Sequence, residues 1–301
     1  MKKEEIRDRI KVLKKEKDVI ILAHNYQIEE VQDTADFLGD SLGLSIEASK
    51  VKEKVILFCG VHFMAETAAI LAPDKTVLTP DPGAGCPMAD MITGKEMREW
   101  KEANPGLEAV CYVNTTAEVK AECDICCTSS NALEVVESLK GDKVLFAPDK
   151  NLAAYVARHS SKKIIPWDGY CYVHNNILPR HIQEEKRLHP AAEVWVHPEC
   201  RPEVIELADK VFSTGGMVKE AQKTEKKEAI IGTEIDMITR LKRVNPAISY
   251  YPAKSNAVCS NMKKINMAKI LRSLENMVFE VKVPGEIAQR AKKAIERMIA
   301  V

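Results

Sequence analysis

Three cysteines that lie far apart in the chain are the residues best suited to do chemistry together. Cys86, Cys171 and Cys259 follow one another at intervals of 85 and 88 residues, each in a loop of small and polar residues. Three thiolates from three loops can hold a cubane iron–sulfur cluster and leave one iron without a protein ligand. Such an open iron would act as a Lewis acid on a substrate oxygen. The spacing alone also allows three buried thiols or a zinc site.

Similar landmarks precede each of these cysteines. A β-branched run ends on a pair of polar residues, and a serine or threonine stands 17 residues beyond the first residue of each pair. An aspartate in register comes five residues before that hydroxyl, at positions 36, 124 and 209. We therefore predict a threefold internal repeat whose copies contribute to one shared centre. The contributed residues are His24, Tyr26, Ser41 and Cys86; Tyr112, Asn114, Ser129 and Cys171; and His197, Glu199, Thr214 and Cys259.

The polar pairs and the hydroxyls indicate a reaction centre that binds anions. A lone histidine at a strand end is usually structural, but acid, base and amide groups at three equivalent ends suit proton transfer, with Glu199 and the histidines as candidates. His174 follows Cys171 by three residues and should face the same cavity. One serine at the start of a helix is usually a cap. Three helix starts on one axis would instead bind carboxylates or a phosphate.

A second group of cysteines lies in the run CDICC, residues 123–127. Cys123 and Cys126 have the C-x-x-C spacing of redox and metal sites. In the repeat alignment, however, this run falls opposite small or apolar positions of a buried strand, where cysteine behaves as a small hydrophobe. We assign Cys59 and Cys111 to strands in the same way, and leave the role of Cys200 open.

The elements that must position these residues are short apolar runs alternating with helices. Each repeat opens with a charged helix and a buried strand that carries the polar pair at its C-terminal end, where open α/β sheets place their ligands. Strands alternating with helices indicate βα units and mainly parallel sheets. The opening helices are expected at about 3–17, 93–103 and 179–189, and the strands after them at 18–23, 108–113 and 193–197.

The sequence therefore predicts an α/β protein with three homologous three-layer αβα domains around a pseudo-threefold axis and an active site at their centre. The expected domains are residues 1–90, 91–176 and 177–263. A C-terminal extension, residues 264–301, is expected to pack back on the first repeat. Within it we expect a helix at about 264–277, a strand at VFEVKV and a last helix opened by Pro284.

Composition narrows the class of protein. Of the 301 residues 46% are hydrophobic and 29% are charged, which is typical of a globular chain. The 44 basic and 44 acidic residues balance, so neither a nucleic-acid partner nor a membrane partner is expected. No apolar run reaches the roughly 20 residues of a membrane span, and the N-terminus has no apolar signal-peptide core. We expect a cytoplasmic protein whose nine cysteines are thiols or metal ligands rather than disulfides.

Several motifs together resemble one family across essentially the whole chain. AHNYQ, GDS, GAGCPMA, YVNTTAE, TSSNA, GYCYVH, HPEC, STGGM and AVCSNMKK are similar to the motifs of the quinolinate synthase (NadA) family of de novo NAD biosynthesis. The resemblance implies three αβα domains and a [4Fe-4S] cluster on Cys86, Cys171 and Cys259. It also implies condensation of iminosuccinate with dihydroxyacetone phosphate to quinolinate, phosphate and two waters. An L-aspartate oxidase or dehydrogenase partner would supply the iminosuccinate.

The resemblance also implies roles for individual residues. Tyr26, His174 and Glu199 are candidates for proton transfer. The implied substrate-binding residues are His24, Ser41, Tyr112, Val113, Asn114, Ser129, His197, Pro198, Glu199 and Thr214. One departure is the run around Cys259, which lacks the C-x-x-C-x-x-C pattern of some longer members, so disulfide control at that site is not supported.

Three alternatives remain open from the sequence. Another cluster-dependent dehydratase would share the open iron but act on a different acid. A non-catalytic iron–sulfur or zinc protein would bind the metal without turnover. A phosphate- or nucleotide-binding protein without a metal would be indifferent to the loss of Cys86.

Overall fold

Three four-stranded sheets form the framework of the protein, of which the computed structural model describes residues 2–301. Each sheet is built from four consecutive strands, in the spatial order second, first, third, fourth, and every neighbouring pair is parallel. The strands are β1 (Val19–His24), β2 (Phe37–Gly39), β3 (Val55–Cys59) and β4 (Thr76–Leu78); β5 (Glu108–Tyr112), β6 (Ile125–Cys127), β7 (Lys143–Ala147) and β8 (Lys163–Pro166); and β9 (Glu193–Val196), β10 (Lys210–Val211), β11 (Glu228–Gly232) and β12 (Ser249–Pro252).

Helices connect the strands and complete the αβα layers, as the sequence predicted. They are α1 (Lys3–Glu16), α2 (Glu29–Gln32), α3 (Ser41–Ala48), α4 (His62–Leu71), α5 (Gly94–Glu102), α6 (Ala117–Glu122), α7 (Ala132–Ser138), α8 (Lys150–His159), α9 (Tyr172–Asn175), α10 (Pro179–Leu188), α11 (Pro202–Ile205), α12 (Thr214–Lys223), α13 (Met237–Val244), α14 (Met267–Asn276) and α15 (Gly285–Ala300). Within residues 2–301, no helix has both the length and the apolar character that crossing a bilayer requires.

The first strand of each sheet lies between two neighbours and is the element that carries the polar pairs. In β1 five of six residues are buried, and in β5 and β9 all residues but the first are buried. Such continuous apolar runs are typical of parallel strands covered on both faces. The strands end at or next to His24, Tyr112 and His197, so these three side chains start from equivalent points of three equivalent sheets.

The aspartates in register have the same structural role in every repeat. Each stands just before the second strand and exchanges two hydrogen bonds with one residue of the first strand. This exchange satisfies two backbone groups where the strand pair begins. The pairs are Asp36 with Ile21, Asp124 with Ala109 and Asp209 with Val194, and their Oδ2–N distances are 2.8, 2.7 and 2.8 Å.

The C-terminal extension divides between two repeats. Helix α14 packs against α1 of the first repeat. Helix α15 instead packs mainly against α6 and β6 of the second repeat, and to a smaller extent against α4. Arg290 of α15 reinforces this contact through an ion pair with Glu122, at 2.7 Å. Packing on the first repeat, which the sequence predicts for the whole extension, is thus found for α14 but is only the lesser contact of α15.

The run VFEVKV, residues 278–283, is not a strand. It makes a single antiparallel bridge, between Glu280 and Leu78, beside β4. Met277 and Phe279 have φ values of 50° and 68°, a left-handed conformation that is uncommon outside glycine and that interrupts a pleated strand. The β-branched composition of the run therefore misled the prediction.

Candidate active site

The carboxyl ends of the three sheets surround one central cavity, to which every repeat contributes. Of the residues predicted to transfer protons, bind substrate or hold a metal, only Val113 and Pro198 are not among those lining it. Val113 donates its N–H to the carbonyl of Cys127, within the second sheet. The singled-out residues that line the cavity are His24, Tyr26, Ser41, Cys86, Tyr112, Asn114, Ser129, Cys171, His174, His197, Glu199, Thr214 and Cys259.

The two histidines at strand ends are held in the same way. The N–H of Tyr26 donates to Nδ1 of His24 at 3.1 Å, and the N–H of Glu199 donates to Nδ1 of His197 at 3.3 Å. Because Nδ1 accepts in both rings, we assign the ring proton to Nε2. Burial lowers the pKa of His24 to about 4 and that of His197 to about 3, so both rings are neutral near pH 7. Each is then a neutral donor for a bound acid.

A buried carboxylate, Glu199, lies at the centre of the polar network. The hydroxyl of Tyr112 donates to its Oε1 at 2.5 Å, which joins the second repeat to the third. Its Oε2 lies 2.8 Å from Nδ1 of His174, close enough for an ion pair but not aligned as a hydrogen bond. The ring of His174 stacks on that of His197 at a centroid distance of 4.5 Å.

The surroundings keep Glu199 ionised. Burial by itself raises the pKa of a carboxyl group, but the adjacent His174 and the Tyr112 hydroxyl outweigh it and lower the pKa of Glu199 below its ordinary value. Burial and the neighbouring Glu199 raise the pKa of Tyr112 and of Tyr26 well above 10. One ionised carboxylate and two protonated phenols therefore share the cavity, an arrangement that can both accept and donate protons.

The sequence analysis missed Thr233, which connects two of its proposed proton carriers. Thr233 Oγ1 lies 2.5 Å from the hydroxyl of Tyr26 and 2.8 Å from Nε2 of His174. The Tyr26 hydroxyl also lies 3.3 Å from that nitrogen. Thr233 follows β11 directly, so its sequence signal is its place at the end of a third strand, whereas the predicted polar pairs lie at the ends of first strands.

The three hydroxyls stand at or near the starts of helices, but none caps its own helix. Ser41 and Thr214 are the first residues of α3 and α12, whose caps are Asp40 and Ser213. Ser129 lies in the turn before α7, whose N-terminal flanking residue is Asn131. Their hydroxyls are therefore free of capping and face the cavity with the positive ends of helices behind them, as an anion requires.

The three repeats also touch beside these hydroxyls. The Ser130 hydroxyl donates to Oδ2 of Asp40 at 2.6 Å and lies 2.7 Å from Oγ of Ser213. One residue from each repeat therefore meets at the junction, and Asp40 belongs to the cavity lining. The junction fixes the distances between the three helix starts.

The three dispersed cysteines line the same cavity. Cys86, Cys171 and Cys259 are free thiols, half-buried, in the loops that follow β4, β8 and β12, and all three line the cavity. Burial raises the pKa of each, to about 12 for Cys86, and neighbouring thiols further raise the pKa values of Cys86 and Cys171. Three thiolates are therefore unfavourable here without a cation, and a bound metal supplies one. The donor set fits a metal or iron–sulfur site.

The other cysteines belong to the sheets. Cys59, Cys111, Cys126 and Cys127 are fully buried strand residues, and the Cys111 and Cys126 sulfurs lie 3.5 Å apart on neighbouring strands. Cys123 donates to a helix carbonyl, and the buried Cys200 donates to that of Gly232. None of the six lines the central cavity. The C-x-x-C spacing of Cys123 and Cys126 thus lies in a packed part of the second repeat, away from the cavity lining.

A different donor set overlaps this centre. Ligand atoms of Cys171, His174 and Glu199 lie within 4.8 Å of one another, and among the described residues they are the group of His, Cys, Asp and Glu side chains compact enough to hold a single ion. Sulfur, nitrogen and oxygen ligands suit zinc. The cavity thus offers two overlapping arrangements for a metal.

Comparison with known proteins defines the class of this fold and site. The family model described as quinolinate synthetase A protein (NadA) matches residues 8–300. The quinolinate synthase of Dehalococcoides mccartyi (strain CBDB1) is 59% identical over 301 residues, the full length of both chains. The chain belongs to the NadA family.

Less similar relatives also match over nearly the whole chain and are also named quinolinate synthases. Quinolinate synthase 2 of Methanosarcina acetivorans is 54% identical and covers 98% of this chain and 96% of its own. The quinolinate synthase of Thermodesulfovibrio yellowstonii is 52% identical, with 97% of each chain covered. The resemblance seen in the motifs is thus confirmed over the whole sequence.

Proposed function

We propose that the chain is a quinolinate synthase, a transferase that condenses iminosuccinate with dihydroxyacetone phosphate to quinolinate, phosphate and two waters. The observation that carries the proposal is the central cavity, where each repeat supplies a polar pair, a hydroxyl and a cysteine. Family membership and the names of the relatives support the same activity. We further propose that the enzyme acts in the cytoplasm, and that an L-aspartate oxidase or dehydrogenase supplies the iminosuccinate.

The substrates would bind as anions. Iminosuccinate carries two carboxylates and dihydroxyacetone phosphate carries a phosphate, and the cavity offers the hydroxyls of Ser41, Ser129 and Thr214 at helix starts. The neutral rings of His24 and His197 add N–H donors without adding charge. Such donors bind an acid and stabilise the negative charge that develops when it loses a proton.

The chain's own groups would move the protons of the condensation. Glu199 is ionised and buried, so it is the base in our proposal. His174 lies between Glu199 and Thr233, and Thr233 contacts the Tyr26 hydroxyl, which gives a chain of close polar contacts from the carboxylate to the phenol. Tyr26 would return a proton to a departing hydroxyl group.

We propose that Cys86, Cys171 and Cys259 would hold a [4Fe-4S] cluster through one sulfur each. When bound, such a cluster with an open iron supplies a Lewis acid for a substrate hydroxyl or carboxylate. The cavity groups described above would then orient that substrate and exclude bulk water from it.

The test is product formation by anaerobically purified protein. With iminosuccinate generated in the assay and dihydroxyacetone phosphate added, we expect quinolinate and phosphate in a ratio of about one to one, as the reaction requires. Omission of either substrate should abolish both products. Turnover of another hydroxy acid, with no quinolinate, would instead support a different cluster-dependent dehydratase.

The compact group of Cys171, His174 and Glu199 favours a second candidate, a non-catalytic zinc protein. Such a protein would contain about one zinc per chain and would retain it when Cys86 is replaced by alanine. It would bind dicarboxylates without turnover. A metal analysis of the Cys86→Ala variant therefore separates the two candidates.

A further inference from the structure

The three cysteine loops are attached to their sheets by one repeated hydrogen bond. After each third strand the chain turns, and a backbone N–H there donates to the carbonyl of the residue two positions before the cysteine. The bonds are His62 N to Ala84 O at 2.8 Å, Lys150 N to Gly169 O at 2.8 Å, and Ile235 N to Ala257 O at 2.9 Å. Because this bond joins equivalent residues in every repeat, the three loops can be aligned residue by residue.

The residue just before that donor differs between the repeats. In the second repeat it is Asp149, whose Oδ2 accepts the N–H of Cys171 itself, at 3.0 Å. In the third repeat it is Glu234, whose Oε1 accepts the N–H of Cys259, at 3.1 Å. In the first repeat it is Val61, which has no acceptor to offer. Two of the three cysteines are thus tied directly to a carboxylate.

Both carboxylates are themselves held rigidly, with no exposed surface. The second oxygen of Asp149 accepts the N–H of Leu152 at 2.8 Å. The second oxygen of Glu234 accepts the N–H of Asp236 at 2.9 Å, and Lys263 Nζ lies 2.8 Å from its Oε1. A side chain fixed at both oxygens cannot turn away, so the N–H that it accepts is fixed as well.

We propose that Asp149 and Glu234 are positioning residues for the metal centre, each of which fixes one cysteine by accepting that cysteine's own N–H. Cys86 is positioned without such an anchor and is the most adaptable of the three. The inference deepens the proposed function, since it takes these three cysteines as the ligands.

Helix capping does not account for this arrangement. Asp149 also caps α8, but Oδ1 alone serves that bond, and a serine or threonine would suffice for it. Oδ2 is directed to Cys171. Glu234 does not cap α13, whose N-terminal flanking residue is Asp236. The feature that the two carboxylates share is the cysteine N–H.

The test measures cysteine reactivity in the metal-free protein, so it does not depend on which metal binds. Asp149→Ser retains one oxygen for the cap of α8 and removes the acceptor that faces Cys171, and Glu234→Met conserves length but removes both acceptor oxygens. Wild type and each variant should be treated with iodoacetamide, and the alkylation of each cysteine should be followed by peptide mass spectrometry. We expect Asp149→Ser to speed alkylation of Cys171, and Glu234→Met that of Cys259, by roughly tenfold, the upper end of what the loss of one hydrogen bond implies.

The matched control is the equivalent position of the first repeat. Val61→Thr should change the alkylation rate of Cys86 less than about twofold, because no hydrogen bond to the Cys86 N–H is lost. If either variant fails to fold, amide exchange in the wild-type metal-free protein makes the same comparison. The amides of Cys171 and Cys259 should exchange more slowly than that of Cys86.

Equal acceleration of all three cysteines, or of none, would overturn the proposal, as would equal exchange of the three amides. In the metal-loaded protein, both carboxylate variants should lose iron to a chelator several-fold faster than wild type. If alkylation were selective but the protein bound no iron, the positioning role of Asp149 and Glu234 would stand and only the proposed function would be refuted.

Discussion

The central cavity and the interiors of the three sheets use the same kinds of residue in opposite ways. Cysteines of β5 and β6 are packed as small apolar side chains with no exposed surface, although those of β6 belong to the motif-like run CDICC. Cysteines of the loops lie 85 and 88 residues apart in sequence but meet at one cavity. Whether a cysteine lines the cavity therefore depends on its position in the repeat and not on its nearness to other cysteines in sequence.

The sharpest contrast is between one cysteine of each region. Replacing Cys171 by alanine should abolish iron binding, because a three-cysteine site has no spare ligand. Replacing Cys126 by alanine should leave the iron content unchanged, because its sulfur packs inside the second sheet. Iron and sulfide analysis of both proteins after anaerobic purification checks this. Iron loss in the Cys126 variant alone would reverse the assignment of the two regions.

Glu199 tests whether the cavity carries out the proton transfer. Glu199→Gln removes the ionised carboxylate but conserves its shape, so we expect turnover to fall by about 10² to 10⁴-fold. Iron content should stay at the wild-type level. The measurement is the rate of quinolinate formation per iron. Full turnover would remove Glu199 from the proton-transfer residues.

A smaller effect is expected at Thr233. Thr233→Val removes the hydroxyl between Tyr26 and His174 with little change of shape, and should lower kcat by roughly tenfold, the lower end of proton-transfer effects. The KM values should change less, because Thr233 contributes no binding group in our proposal. A change in KM without a change in kcat would indicate a role in substrate binding.

The smallest effect concerns stability and pH. His197 has a folded pKa of about 3, against 6.5 in the unfolded chain, so below about pH 6.5 the unfolded chain binds a proton that the folded protein does not. The free energy of unfolding should therefore fall as pH falls, by about 1.4 kcal/mol per unit for this residue until its folded pKa is reached. Denaturant unfolding of metal-free wild type and His197→Asn at pH 6 and pH 5 should show the steeper loss in wild type. Equal losses would mean that His197 is charged in the folded cavity.

The repeat and the fold could be predicted from sequence because they rest on local patterns. Short apolar runs indicated the first strands, and the aspartates in register marked the repeat, in each copy of which the structure gives them the same hydrogen bonds. The run VFEVKV misled because left-handed residues such as Phe279 leave no mark in an apolar pattern. The packing of α15 was missed because its apolar stripe does not specify a partner.

Within the site, sequence could identify the residues that repeat but not those that differ between repeats. The polar pairs, hydroxyls and cysteines have counterparts in every copy. Thr233 does not, because Gly60 and Pro148 stand at the equivalent positions, and the acids Asp149 and Glu234 have no acidic counterpart in the first repeat, which has Val61. Their roles depend on hydrogen bonds between distant segments, which only the folded chain brings together.

The most direct test of the central claim is a Mössbauer spectrum of the anaerobically purified protein, together with iron and sulfide analysis. We predict about four irons and about four sulfides per chain, with one iron whose signal changes when substrate is added, since three cysteines leave one iron open. A chain that holds zinc, or a cluster whose irons all ignore the substrate, would contradict the account.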